Sequence, residues 1–186
     1  SFDTPLTAYR DLPLEVLAMG EVLGLTEERA KTLLKLWELA AKSSPIQIIP
    51  TPHASYSLNS QTLKKFFESK SPCYSIHLAE SDAESDFFKS SRGSLYDMLS
   101  QIGAPPKPQG RTPFEHLKNL GLLNGQGLID HGNHLSSNEL QQLAESGNTL
   151  VHCPGSWNFF KHTLFPLHEA LASGLRVALG TDSLAS

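Results

Sequence analysis

The chain has 186 residues, of which 39% are hydrophobic and 18% charged, and a formal net charge of −4. That length and composition suit one globular domain with a sizeable core, not a disordered chain. An acidic balance without a basic stripe argues against a nucleic-acid backbone or a membrane surface as partner, and no apolar run approaches the ~20 residues of a membrane span.

The opening "SFDTPLTAYRDL" lacks the charged-then-apolar layout of a secretory signal. Cys73 and Cys153 both fall in short apolar runs, which reads as two buried thiols in a reducing cytosol, and so as a cytoplasmic protein. Residues 1–44 read as a helical segment. Within it "LPLEVLAMGEVLGL" and "TEERAKTLLKLWELAAK" carry apolar residues at three- and four-residue spacing, Thr26 is a candidate N-cap, and "SSP" ends the run.

From residue 45 a rhythm sets in. Short apolar runs occur at "PIQIIP", "CYSIH", "GLIDH", "TLVHC" and "LRVALGTD". Amphipathic segments separate them, several closing on a glycine at Gly103, Gly147 or Gly174 as a helix C-cap would. Alternation of strand and helix, with connections too long for hairpins, predicts right-handed crossovers and a parallel sheet. "APPKPQGR" reads as a proline-rich surface loop inside one crossover. The whole is a single α/β domain, 45–186 packing with 1–44.

The ends of those five strands share a chemistry. The first leads to His53, the second to His77 with Glu80 beyond it, the third to His131, the fourth to His152 and the fifth to Asp182. In a parallel α/β fold all these ends lie on one face, where catalytic groups gather. Imidazole with carboxylate is the ligand set of a catalytic zinc, iron or manganese ion, which supplies hydroxide at neutral pH and needs a carboxylate nearby to move protons. His77 and Asp182 are the candidate ligands and Glu80 the candidate proton shuttle. His131 is a further functional candidate, His53 a candidate substrate contact, and His152 either a contact or a packing residue beside Cys153. His134 reads as structural, and His116, His162 and His168 as surface or packing residues. The acidic run "AESDAESDFF" reads as a solvated helix start, in which Glu84 is placed to brace the site from behind.

With these residues in view, the chain resembles the amidohydrolase superfamily, in the branch of chlorohydrolases and of guanine, cytosine and adenosine-type deaminases. The matching stretches, in order, are "TPHASYSLN", "SIHLAES", "IDHGNHLS", "VHCPGSWNFF" and "GLRVALGTDSLAS". The resemblance implies a (β/α)8 barrel of the TIM type, of which this chain is a portion, roughly strands four to eight. It implies one divalent metal ion, zinc first, with iron or manganese as alternatives. His77 and Asp182 would be ligands, Glu80 would protonate the substrate, His131 would orient the reacting group and Asp182 would take the proton from the attacking water. His53 and His152 would contact the substrate, and Trp157, in "CPGSWN" where the family more often has a serine next to the asparagine, would reshape the pocket wall.

The family's His-x-His pair, which supplies two further ligands, is absent from the sequence. The expectation is therefore an internal piece of a metal-dependent hydrolase acting on carbon–nitrogen bonds other than peptides, a deaminase of a purine-like or nucleoside-like small molecule. The chain alone would bind metal weakly or not at all and be inactive. A triazine-type dechlorinase and a non-catalytic binding or assembly module are the alternatives. An arc cut from a barrel leaves two open edges, which favours homo-oligomers.

Overall fold

The computed structural model describes residues 9, 13–68, 73–103, 105, 107, 108, 110–123, 125, 127–162 and 165–183. The start of the expected helical segment and parts of the proline-rich loop lie outside the described residues. Strand β1 (Leu17–Val22) is followed by helix α1 (Glu27–Ser43), and β2 (Gln47–Pro52) by α2 (Ser60–Glu68). β3 (Tyr74–Leu78) is followed by α3 (Asp82–Ser90), α4 (Ser94–Ile102) and α5 (Pro113–Asn119). β4 (Gly127–His131) precedes α6 (Ser137–Ser146), and β5 (Thr149–His152) precedes α7 (Pro154–Phe159) and α8 (Leu167–Ala172), before β6 (Arg176–Leu179).

Every strand pair is parallel, and strands adjacent in sequence are adjacent in space: β1 with β2, and β3, β4, β5 and β6 in that order. No strand order reverses, so the sheet winds in one direction with its helices on one side, as the wall of a (β/α)8 barrel does. The chain is a portion of such a barrel.

One expected element is wrong. The stretch "LPLEVLAMGEVLGL" was expected to be helical, yet Leu17–Val22 is a strand paired with β2 over its full length. Apolar spacing in so short a run suits either state, and sheet pairing decides it. Gly20 is the reason the strand can be covered: a Cβ there would meet the Trp37 ring at 2.4 Å, and the indole Nε1 donates to the Glu21 carbonyl at 2.8 Å. The arc therefore begins one strand earlier than the sequence rhythm indicates. Helix α1 starts where expected, with the Thr26 hydroxyl accepting from the Arg29 amide, and α6 carries a full capping box of Ser136 and Glu139. The long segment after β3 is two helices, broken at Ser91 and Gly93, both at positive φ.

Strand parity separates a dry face from a wet one. Ile76, Leu78, Ile129 and Leu150 point to the helices and pack with Leu63, Leu117, Leu140 and Leu143 in one continuous core. Ser75, His77, Leu128 and Asp130 alternate with them on the concave face and stay half-buried. His116 belongs to the dry side, fully buried against Phe88, and burial pushes its pKa down to about 4. Cys153 is buried, Cys73 half-buried, and neither is in a disulfide. Among the described residues no helix is long and apolar enough to cross a membrane.

The seam between β2 and β3 is unusual. Pro50 and Pro52 bring no N–H to a ladder, and one bridge, Ala54 with His77, joins the two strands. The Thr51 hydroxyl fills the gap, donating to the Ser75 carbonyl and accepting from the Ser75 amide, both at 2.7 Å. Thr51→Val keeps the shape and orphans two buried backbone groups, so it should destabilise the fold by about 1–3 kcal/mol. Urea unfolding checks this; an unchanged midpoint would mean that the seam is held by something else.

Candidate active site

The side chains converge at the C-terminal ends of β1 to β4. His53, one residue past β2, stacks on His77 of β3 with ring centroids 4.8 Å apart, and His77 lies 5.2 Å from the His131 ring at the end of β4. The Glu80 carboxylate stands 3.8 Å from His131 Nε2. Sequence parity alone would turn His131 towards the helices with Ile129. A left-handed backbone at His131, φ 69°, rotates the ring back over the concave face.

Hydrogen bonds fix the imidazole orientations. The His53 carbonyl accepts from the His77 backbone amide at 2.9 Å and from His77 Nδ1 at 2.8 Å. A carbonyl only accepts, so Nδ1 carries the proton and Nε2 the lone pair. His53 repeats the pattern: its Nδ1 lies 2.9 Å from the Ser57 hydroxyl, which itself points its proton at the Ala54 carbonyl. The loop bearing Glu80 is laced to the loop after β4 by Gly132 N–H to Leu78, His134 N–H to Ala79 and the Asn133 amide to Glu80.

Charge is distributed unevenly among the imidazoles. Burial opposes a proton on His77, but Asp130 opposite it, the His53 carbonyl, Glu21 and Glu80 outweigh burial and hold its pKa above the ordinary value. Burial, and then the charge of His77, holds His53 below the ordinary value. Burial likewise lowers His131, with Glu80 opposing and His77 adding to the effect. Asp130 is pushed up by burial, restrained by its hydrogen bond from the Ser75 hydroxyl and by His77.

The other candidates occupy the rim. Asp182 lies beyond β6, exposed and in a left-handed conformation, with its charge felt at His131. His152 stacks on Phe165 at 3.9 Å and meets Trp157 edge-on at 6.3 Å, so its ring packs into the wall with Phe165. Trp157, in α7, is half-buried.

Three participants were not assigned from the sequence. Glu21, at the end of β1, has its carboxylate 3.7 Å from His77 Nδ1, and Glu21, His53 and His77 offer donor atoms all within 4.8 Å of one another. Reading "LAMGEV" as a strand would have exposed it as one more polar strand end. Asp130 and Ser75 share the concave floor, flagged by nothing except polar residues inside apolar runs. The acidic run is solvated only in part: Asp82 is exposed while Glu84 is buried, where burial pushes its pKa up to about 7.

The amidohydrolase family model matches residues 6–186. A 5-methylthioadenosine/S-adenosylhomocysteine deaminase of Pyrococcus furiosus is 33% identical over 165 residues, covering 86% of this chain and 35% of the relative. Among solved structures, the aminofutalosine deaminase of Helicobacter pylori in complex with methylthio-coformycin superposes with a TM-score of 0.79 at 18% identity, covering 97% of this chain and 47% of that one. An adenosine deaminase from Xanthomonas campestris with bound zinc gives 0.70 at 21% identity, covering 97% and 40%. These two likenesses speak to the fold. The chain spans about a third of the length of the curated relatives it matches. A family match over nearly the whole chain, on an arc whose strand ends gather imidazoles and carboxylates, makes this chain a member of the amidohydrolase family.

Proposed function

We propose that the chain carries the catalytic rim of a metal-dependent hydrolase that breaks a carbon–nitrogen bond, deaminating an aminated purine nucleoside or a close analogue. The observation that carries this reading is the approach of Glu80 to His131 beside His77. The relatives named for deamination of methylthioadenosine and S-adenosylhomocysteine suggest the substrate class.

The donor chemistry fits a divalent cation. His77 presents an Nε2 lone pair with its Nδ1–H anchored on a backbone carbonyl, the usual support of a metal-bound histidine. His77 and Asp182 would hold the ion, with the Glu21 carboxylate 3.7 Å from His77 Nδ1 supporting the ring from its far side. Bound there, zinc would supply an activated water at neutral pH.

The chain's own groups do the rest. At 3.8 Å from His131 the Glu80 carboxylate is too far for a hydrogen bond and stays free to exchange protons with a substrate. Glu80 protonates the ring nitrogen beside the amidine carbon as water adds to that carbon, and Asp182 takes the water's proton. His131 donates towards the reacting group; the proton held by Asp182 passes to the amino group, which leaves as ammonia, and as the carbon–oxygen double bond forms the hydroxyl returns a proton to Glu80. His53 contacts the substrate from the β2 side, and His152 with Trp157 forms the facing wall.

Two measurements follow. In the metal-free chain at alkaline pH, long-range proton–nitrogen correlation should find His77 and His53 as Nδ1–H tautomers; Nε2–H tautomers would remove the donor set. In the longest polypeptide that the gene encodes, zinc-loaded, a panel of aminated purines and nucleosides should yield ammonia. Glu80→Gln should lower kcat/KM by about 10²–10⁴ without loss of zinc. No ammonia from any member, or a fully active Glu80→Gln, would refute the reading.

A further inference from the structure

Glu84 is an anomaly in the described residues: a glutamate 1% exposed, one turn into a surface helix, with no cation against it. Its partners explain its burial. Oε2 accepts from the Glu80 amide at 2.9 Å, and the Ala79 amide hydrogen-bonds to the same carboxylate. Oε1 accepts from the Ser55 hydroxyl at 3.1 Å. Ala79 is a non-glycine residue in the left-handed region, φ 52°, at the point where the chain leaves β3. Two successive amides turned by such a residue form a concave donor pair suited to an anion, and here the protein supplies its own. Ser55 sits two residues past His53, so the same carboxylate ties the turn that carries Glu80 to the loop that carries His53.

We infer that Glu84 is a positioning residue: its carboxylate clamps the Ala79–Glu80 turn and the Ser55 loop together and thereby fixes where the Glu80 carboxylate stands relative to His77 and His131. This rests on the proposed role of Glu80. The clamp acts from beneath, because Glu84 is sealed from the concave face and touches neither imidazole. Backbone lacing to the loop after β4 holds the turn from one side, through Asn133 and His134. Glu84 holds it from the other. Without it the turn keeps its covalent path but loses the donors' target, and the left-handed alanine is held from one side alone, by the loop after β4.

The test separates clamping from plain stability. Glu84→Met keeps length and apolar volume while removing both acceptors. Glu84→Gln keeps an acceptor for the Glu80 amide and lets the Ser55 hydroxyl turn to accept from its N–H. In the Met variant of the present chain, exchange of the Ala79 and Glu80 amides should accelerate about tenfold, as loss of roughly one hydrogen bond implies, while β4 and β5 amides keep their protection. Gln should restore most of it. In the longest encoded polypeptide the Met variant should lose about 10–100-fold in kcat, as removal of an outer support typically does, with KM little changed, and Gln should recover it. Unchanged exchange in the Met variant, protection lost evenly over the sheet, or no recovery by Gln would overturn the clamp. If the wild-type polypeptide releases no ammonia but the Met variant frees those two amides, the clamp stands and the deaminase reading falls.

Discussion

The site depends on how three strands end. Ala79 after β3, His131 at the end of β4 and Asp182 after β6 all adopt left-handed backbones, with φ of 52°, 69° and 56°. For a residue with a Cβ each such turn costs about 1–2 kcal/mol. At His131 the benefit is visible: the turn brings a ring that parity would bury among leucines next to His77. At Ala79 it tips Glu80 over the rim. The Ala79 turn is held on two sides, by the His134 amide donating to its carbonyl and by the Glu84 carboxylate accepting from the Glu80 amide, so its strain is spread over a network.

That dependence marks what the sequence could disclose. The alternation of apolar runs and amphipathic segments marks five of the six strands found among the described residues to within a few residues, because strand parity and helix periodicity are local signals. The clustering of polar residues at strand ends followed from parallel topology alone. What was not legible is anything set by non-local contact. Leu17–Val22 carries a spacing that suits either state, and only pairing with β2 and the Trp37 ring over Gly20 decide it. Glu21 was lost with that strand. No sequence feature announces that a histidine or an alanine will take positive φ, and Asp130 sat unnoticed inside a short apolar run.

The two faces of the sheet divide the work. On the helix side β3, β4 and β5 are closed with leucine and isoleucine against the helices, and even a histidine, His116, is kept neutral there by burial. On the concave side β3 and β4 carry Ser75, His77 and Asp130: His77 is favoured as a cation by Asp130, Glu21 and Glu80, and Asp130 accepts from the Ser75 hydroxyl. Thr51 couples the two halves of the wall through its side chain, which makes the register of β2 against β3 a condition for the stacking of His53 on His77. Family membership and the barrel wall belong to the chain as a whole, and at the rim His152 packs between Phe165 and Trp157.

The central claim is that His77 Nε2 faces a cation shared with Asp182, within reach of Glu80. A crystal structure of the zinc-loaded, longest encoded polypeptide, with zinc located by its anomalous scattering, tests it most directly. The account predicts one zinc at about 2.0–2.2 Å from both His77 Nε2 and an Asp182 oxygen, with Glu80 turned towards the same space. Zinc held elsewhere, or His77 Nε2 hydrogen-bonded to protein with no metal beside it, would contradict the account.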